Sequence, residues 1–351
     1  MKRWVGVLLV LALVLTGCGG SSKGGKVAVF WYSFDDAYLS EVRASLNGIW
    51  AQAGIDYQNY DAESRQANQN EQIRSAINGG ASALVVNIVD ASLEEPTREI
   101  LEMARQADIP IVFFNRSVSE DLLSTYKKAA YVGTNYEEAG HMQGEMIGRY
   151  LAANFEELDL NRDRFLSYVL FKGQEGNAEA LARTKYAVED ANVILATAGQ
   201  MELRFYDATN GAKYLVDQYG AWSFEQGKDY MTNILRRYTE ENGSMVEVVI
   251  ANNDAMALGA VAALQEAGYN NGTGKTIPVF GVDATQDAQK AIAEGTMTGT
   301  IRQDSAGMAQ AVAAITRNLQ AGKATFDGLP QENVAGSQRI NIPYSLYTGE
   351  E

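Results

Sequence analysis

Six short apolar segments, rich in β-branched residues, limit the fold of this chain more than any other feature. They read VAVFWYS, ALVVNIV, IPIVFFN, LSYVLF, VEVVIANN and IPVFGVD. Each is continuously apolar rather than alternating, as strands buried on both faces of a parallel sheet are. Amphipathic segments such as EQIRSAINGG and TREILEMARQAD lie between them and end in Gly or Asp, where helices stop. This order predicts an α/β fold built from βαβ units.

Two parts of the chain resemble each other. IPIVFFNRS at 109–117 matches IPVFGVDAT at 277–285 in its apolar pattern, and ALVVNIVDAS parallels EVVIANNDAM. A chain of 351 residues is also too long for one typical hydrophobic core. We therefore predict two similar α/β domains, each with a doubly wound parallel sheet.

The first residues, MKRWVGVLLVLALVLTGC, predict a secretory signal peptide over residues 1–17, because two basic residues precede a short apolar run. That run, from Trp4 to Leu15, is too short to span a membrane. LTGC resembles the lipobox of bacterial lipoproteins, which predicts lipidation of Cys18. The following GGSSKGG predicts a flexible tether, residues 18–25. These features predict lipid anchoring on the outer face of the cytoplasmic membrane or in the periplasm.

The charge of the chain argues against nucleic acid as a partner. Removal of residues 1–17 takes away Lys2 and Arg3 and leaves 27 basic against 44 acidic residues, a net charge of −17. Such an acidic surface repels phosphate backbones and favours solubility. Cys18 is the only cysteine, so no disulfide can form within the chain.

Polar residues follow the predicted strands at the ends where ligands bind in open parallel sheets. Asp36, Asn115, Asn253 and Asp283 each stand after such a segment. Individually, Asp and Asn are also good helix caps and turn formers. Together they predict a polar cluster that suits a ligand with many hydroxyl groups, covered by aromatic rings. With His141 as the only histidine, the chain offers no persuasive catalytic set.

The stretch DLNRDRFLS places Asp159, Asn161 and Asp163 at alternate positions, as the start of an EF-hand calcium loop does. An EF-hand also requires Gly at loop position 6 and a bidentate Glu at position 12. Arg164 and Leu170 stand there. From these residues alone, an incomplete calcium site and an ordinary polar loop are both possible.

Five motifs together carry a resemblance to a known family: IANNDAMALGAV, IPVFGVDA, VFFN, AAYVGTN and DLNRDRFLSYVLFKG. In their order along the chain they resemble the galactose/glucose-binding proteins of bacterial ABC import and chemotaxis systems, which are type I periplasmic solute-binding proteins. The similarity extends from about Lys26 to Tyr344. It implies two α/β domains, joined by three hinge segments, that close on a sugar.

The resemblance also implies where the chain crosses between the domains. The hinge segments are expected near 133–135, 302–305 and 339–343. Residues 26–133 and 305–338 would then form the N-terminal domain, and residues 134–304 and 339–351 the C-terminal domain.

Individual sugar contacts follow from the same motifs. The resemblance implies hydrogen bonds to a hexose from Asp36, Asn115, Arg183, Asn253 and Asp283, with Trp222 stacked on one face and Tyr38, in place of a family Phe, on the other. Three further sugar-binding positions differ from the family, where His, Asp and Asn stand in place of Asn177, Glu179 and Gln303. Without the family, Asn177 is interpreted as a helix N-cap and Glu179–Arg183 as an exposed i,i+4 pair.

In the family, a nine-residue calcium loop is completed by a distant acid, which corresponds to Glu247. The implied structural Ca²⁺ shell consists of oxygens from Asp159, Asn161, Asp163, the Phe165 carbonyl, Ser167 and Glu247. Arg164 in the glycine position brings a positive charge close to this loop.

The sequence thus predicts a monomeric, lipid-anchored protein that binds D-glucose or D-galactose and delivers it to an ABC permease, with a chemoreceptor as a further candidate partner. It is expected not to be an enzyme. A different small sugar, such as a pentose or a signalling sugar, remains an alternative ligand because three pocket positions differ from the family. An extracellular carbohydrate enzyme lacks a catalytic set, and a sugar-responsive repressor would need a helix-turn-helix instead of a signal peptide.

Overall fold

The computed structural model describes residues 25–349. The predicted signal peptide and Cys18 therefore lie outside the described residues. Between Gly25 and Gly349, no helix is both long enough and apolar enough to cross a membrane.

Parallel strands form two separate sheets, as the continuous apolar segments predict. The first sheet has the order β12-β5-β4-β3-β1-β2 and is parallel throughout. Its strands are β1 (Val27–Trp31), β2 (Tyr57–Asp61), β3 (Ala83–Val86), β4 (Ile111–Phe114), β5 (Ala129–Gly133) and β12 (Arg339–Asn341). The helices that accompany it are α1 (Ala37–Gln52), α2 (Gln66–Asn78), α3 (Glu94–Gln106), α4 (Glu120–Ser124) and α10 (Ser305–Gln320).

The second sheet has the order β13-β11-β10-β9-β6-β7, with β8 paired to β6. Its strands are β6 (Ser167–Lys172), β7 (Arg204–Phe205), β8 (Leu215–Val216), β9 (Val248–Ala251), β10 (Val279–Asp283), β11 (Gly299–Gln303) and β13 (Tyr344–Tyr347). The helices around it are α5 (Tyr136–Leu158), α6 (Ala178–Thr197), α7 (Phe224–Leu235), α8 (Asp254–Glu266) and α9 (Gln286–Ala293). Among the strands named above, only β13 pairs antiparallel with its neighbour, at the edge beside β11.

Each sheet is covered on both faces by helices, which explains why its strands are apolar throughout. In the first domain, buried residues of α10 such as Met308 and Val312 join the core beneath β1 and β5. In the second, the long helices α5 and α6 pack through Gly140, Gly144 and Gly148, where a Cβ atom would meet the backbone or side chains of α6 within 3.0 Å. The predicted fold class, two α/β domains of the type I periplasmic-binding-protein kind, is confirmed.

The chain passes between the two sheets three times: from β5 to α5, from β11 to α10, and from β12 to β13. The last passage differs from the predicted boundary, which assigned 339–351 to the second domain. Arg339, Ile340 and Asn341 instead pair with Tyr131, Val132 and Gly133 of β5. Backbone pairing along this edge keeps the three residues in the first sheet, so the chain changes domain only between Asn341 and Tyr344.

Candidate functional site

A cavity lies between the carboxyl ends of the two sheets. Both domains line it, and all ten predicted sugar-binding side chains are present together. They are Asp36, Tyr38, Asn115, Asn177, Glu179, Arg183, Trp222, Asn253, Asp283 and Gln303.

Helix caps place several of these side chains at the cavity wall. Asp36, Asn177 and Asn253 are the N-caps of α1, α6 and α8, and each accepts a hydrogen bond from a backbone N–H in the first turn of its helix. These three residues therefore cap helices and also line the cavity. A capping side chain is fixed in one orientation, so its remaining polar atoms are positioned in advance for a ligand.

The first-domain wall includes two residues that the sequence analysis missed, Tyr32 and Arg116. The Arg116 guanidinium lies 3.6 Å from the centre of the Tyr32 ring and donates to the carbonyl of Val89. The Tyr32 hydroxyl in turn donates to Asp36 Oδ2 at 2.7 Å. Arg116 follows Asn115 directly in the IPIVFFNRS motif, which is the signal that could have identified it.

Arg183 is the central cation of the second-domain wall. Its Nη1 donates to the carbonyl of Asn252 at 2.8 Å, and its Nη2 donates to Gln303 Oε1 at 2.9 Å. The Asp283 carboxylate lies 3.8 Å from Nη1. The guanidinium is thus held in place by protein groups through Nη1 and Nη2. Its Nε has no hydrogen-bond partner among the described residues.

Two buried polar atoms of this wall have no partner among the described residues: Glu179 Oε2 and Arg183 Nε. Glu179 and Arg183 are only 7% and 4% exposed, so the interpretation of the two as an exposed surface pair is wrong. The side of α6 that carries these two residues faces the cavity rather than solvent. Buried polar atoms without a partner are costly and are usually completed by a ligand or water. An acceptor and a donor in one cavity wall suit the hydroxyl groups of a ligand, which can donate and accept.

Burial changes the ionisation of the two acids near Arg183. Burial is the main cause that raises the pKa of Glu179, and Arg183 only partly opposes it. Burial likewise raises the pKa of Asp283 well above its usual value, although Arg183 acts in the opposite direction and Asp254 adds to the rise. For Arg183 itself, burial would lower the pKa, but Tyr344 and Asp283 reverse the net direction. The carboxyl groups in the cavity wall are therefore desolvated, and hydrogen bonds from the neutral hydroxyl groups of a ligand would stabilise them.

Trp222 is the aromatic residue of the second-domain wall. Its indole ring lies against Gly173, where an added Cβ would come within 2.0 Å of the ring. Its carbonyl accepts a hydrogen bond from Asn253 Nδ2 at 3.0 Å. Trp222, Asn115 and Asp283 all have positive φ angles, of 56°, 63° and 131°. Such conformations are unfavourable for non-glycine residues and concentrate at functional sites.

The predicted calcium loop is closed by hydrogen bonds to its own acids. Asp159 Oδ1 and Oδ2 accept from the backbone N–H groups of Asp163 and Arg164, and Asn161 Oδ1 also accepts from Asp163. Arg164 has a φ of 71°, the conformation that Gly usually supplies in such a loop. The chain therefore forms the turn that the glycine position requires, despite its arginine.

Glu247 lies beneath this loop and is almost completely buried. Its Oε1 accepts from the N–H of Leu160 at 2.8 Å, and its Oε2 accepts from the N–H of Ser167 at 2.8 Å. Within the described part of the chain, no three His, Cys, Asp or Glu side chains are grouped to hold a metal by themselves. The donor set also includes Asn161 and the Phe165 carbonyl, and oxygen donors of this kind fit Ca²⁺.

Comparison with known proteins gives a consistent result for the whole chain. A family model described as periplasmic binding protein domain matches residues 27–324. The chain is 32% identical over 347 residues to the D-galactose/methyl-galactoside binding periplasmic protein MglB of Haemophilus influenzae, covering 98% of this chain and 96% of that protein. It is 30% identical to a putative rhizopine-binding protein of Rhizobium meliloti, covering 99% and 96%.

A similar fold occurs in a solved structure. An ABC transporter solute binding protein from Bacillus halodurans, with bound myo-inositol, matches with a TM-score of 0.69 and 22% identity, covering 94% of this chain and 96% of that one.

Proposed function

The chain belongs to the periplasmic binding protein domain family, and from this premise we propose that it binds D-glucose or D-galactose and delivers the sugar to an ABC permease. The family consists of solute-binding proteins rather than enzymes, and membership implies a location outside the cytoplasmic membrane. Anchoring through a lipid on Cys18 is part of the same proposal and rests on the LTGC motif. A chemoreceptor is a further candidate partner.

The observation that carries the proposal is the set of unpartnered polar atoms in the wall of the cavity between the two domains. Glu179 Oε2 and Arg183 Nε are buried without partners, and Trp222 presents an aromatic wall beside them. A pyranose offers hydroxyl groups to the first two and C–H groups to the ring. Binding would leave none of these polar atoms unsatisfied, which favours the closed form only when the sugar is present.

A different small polyol is the second candidate. Asn177, Glu179 and Gln303 differ from the family that the sequence resembles, and all three line the cavity. One relative is named for galactose, another for rhizopine, and the similar solved structure holds myo-inositol. Exchange of a charged or longer side chain at a pocket wall changes which hydroxyl pattern fits.

A thermal-shift panel on the mature chain separates the two candidates. D-glucose, D-galactose, D-xylose, D-ribose and myo-inositol would each be added at the same concentration. Stabilisation by either hexose above the others supports the proposal, since a ligand that binds only the native state raises its stability. Stabilisation by another compound alone would support the second candidate. Arg183→Ala is the control that should abolish every response.

We propose further that the 159–167 loop with Glu247 binds a structural Ca²⁺. The oxygen donors and the positive φ of Arg164 support this. Asp159, Asp163 and Glu247 would supply the negative charge, and Asn161, Phe165 and Ser167 the neutral oxygens. The ion would stabilise this end of the second domain.

A further inference from the structure

The hydroxyl of Tyr344 lies where the three passages between the domains meet. Thr134 Oγ1, in the first passage, is 2.9 Å from the Tyr344 hydroxyl oxygen. Gln303 Oε1, at the end of β11 where the second passage begins, is 3.5 Å from it. Tyr344 itself is the first residue of β13, directly after the third passage. One side-chain oxygen therefore contacts all three crossings.

The same oxygen is bonded to the candidate sugar site. Arg183 Nη2 donates to the Tyr344 hydroxyl at 3.1 Å and to Gln303 Oε1 at 2.9 Å. Arg183 and Gln303 line the cavity, whereas Tyr344 and Thr134 are not among its lining residues. Tyr344 therefore acts on the cavity only indirectly, through the hydrogen bond that it accepts from Arg183.

The chemistry of the hydroxyl allows all of these contacts together. A phenol can donate one hydrogen bond and accept two. Tyr344 and Thr134 are buried, so their hydroxyl groups have little access to water as an alternative hydrogen-bond partner. Burial raises the pKa of Tyr344, which keeps the hydroxyl protonated at neutral pH. Its bond to a guanidinium is charge-assisted and therefore stronger than a bond between neutral groups.

Hinge closure in a two-domain binding protein is absorbed by the segments that cross between the domains. Gln303 and Tyr344 are paired across β11 and β13 of the second sheet, so rotation about the crossings would move Thr134 relative to both. The contact between Thr134 and the Tyr344 hydroxyl is therefore the one that links this network to the first passage. Its loss would leave the Tyr344 hydroxyl, an acceptor of Arg183 Nη2, with one partner fewer.

We propose that Tyr344 is a positioning residue that holds Arg183 in its binding orientation while the three crossings are in the closed arrangement, and so couples ligand binding to domain closure. The inference rests on the proposed sugar-binding function. It adds a residue outside the cavity to those that determine affinity. It also predicts that the free protein populates the closed form less when the hydroxyl is removed.

Tyr344→Phe keeps the ring and removes only the hydroxyl. Calorimetric titration with D-glucose or D-galactose should show a Kd about 10-fold weaker than that of the wild type, because a hydrogen bond to a charged group is lost. Thr134→Val should weaken binding in the same direction although Thr134 does not line the cavity. The double variant should lose less than the product of the two single losses, because both substitutions break one network.

Tyr126→Phe is the matched control. Its hydroxyl donates to the carbonyl of Ile109 at 2.9 Å in the first domain, away from the crossings. It should bind the hexose as the wild type does, and circular dichroism should show that all variants are folded. Wild-type affinity in Tyr344→Phe, or losses that multiply in full in the double variant, would overturn the proposal.

A second measurement needs no sugar and so separates this proposal from the proposed function. Leu93 and Leu181 are exposed on opposite domains, close to where Ser92 approaches Gly176. Spin labels on cysteines at these two positions, in a Cys18→Ser background, report the opening of the cleft. Tyr344→Phe should shift the ligand-free distance distribution to longer values. An unchanged distribution overturns the proposal, whatever happens to sugar affinity.

Discussion

Glu41 Oε1 lies 2.9 Å from the backbone nitrogen of Gln286, so a carboxylate of the first domain accepts a hydrogen bond from the first residue of α9 in the second. Its Oε2 also accepts from Ser305 Oγ at 3.3 Å, at the start of α10. An anion at a helix N-terminus is stabilised by the unpaired N–H groups and the helix dipole. Glu41 therefore helps to hold the two domains in the closed arrangement.

Removal of this charge should weaken ligand binding from a distance. Glu41→Gln is expected to reduce sugar affinity by about 2–5-fold, since an anion at a helix N-terminus contributes about 0.3–1 kcal/mol. Calorimetric titration measures the change. Glu71→Gln, an exposed position on α2, makes the same charge change without a contact to the other domain. Equal affinities for Glu41→Gln and Glu71→Gln would contradict the role of this contact.

Gly173 should be essential for the position of Trp222. In Gly173→Ala, the new Cβ would lie 2.0 Å from the indole, so the ring must move and sugar affinity should fall by more than about 10-fold, as for an overpacked core site. Gly48→Ala is the control, because a Cβ there meets nothing within 4 Å and Ala favours helix α1. Tryptophan fluorescence together with titration measures both effects. Unchanged binding in Gly173→Ala would show that the ring is not fixed by this contact.

Asp254 predicts a specific pH dependence of stability. Burial raises its pKa from 3.8 to about 7, although Thr300 and Thr285 donate hydrogen bonds to it. Between these two values the folded chain binds more protons than the unfolded chain, so the free energy of unfolding should fall as pH rises from about 4 to about 7. One proton gives a slope of at most about 1.4 kcal/mol per pH unit.

Urea unfolding of the wild type and Asp254→Asn across this pH range tests the assignment. The variant should show a shallower slope, because its amide does not titrate and can still accept from Thr285. Burial also raises the pKa of Asp283, which therefore retains a part of the dependence. Identical slopes in both proteins would mean that Asp254 does not titrate in this range.

Calcium should stabilise the mature chain. If the ion is present at about 100 times its Kd, it adds about 2.7 kcal/mol to the free energy of unfolding, and a chelator removes this contribution. Thermal unfolding with and without chelator measures the difference. Glu247→Gln should remove the response to calcium, whereas Glu145→Gln, on an exposed part of α5, should keep it. A wild type whose unfolding is insensitive to chelator would contradict the calcium proposal.

Much of the cavity could be predicted from sequence because parallel strands end at the same edge of a sheet. Asp36, Asn115, Asn253 and Asp283 each follow an apolar segment, and the fold necessarily brings such positions together. Arg116 also follows a strand, but that position alone does not assign it to the cavity. An arginine after a strand is usually a surface residue, and its burial depends on tertiary contacts: its stacking on Tyr32 and its hydrogen bond to the carbonyl of Val89.

Two other features depend on tertiary structure rather than on local pattern. Glu179 and Arg183 have the spacing of a solvent-exposed helical pair, and only the orientation of α6 toward the cavity buries them. The three residues of β12 are held in the first sheet by backbone pairing with β5, which side-chain pattern does not encode. The central role of Tyr344 is likewise visible only once the three passages are seen together.

Calorimetric titration of the mature chain with D-glucose and D-galactose tests the central proposal most directly. We expect saturable binding of at least one of these hexoses at one site per chain, with binding abolished in Arg183→Ala and weakened in Trp222→Ala. Absence of heat from both hexoses under conditions where the chain is folded would contradict the proposal. If D-xylose or myo-inositol gave a response in that case, the cavity would still be a ligand-binding site, but its ligand would be a different compound.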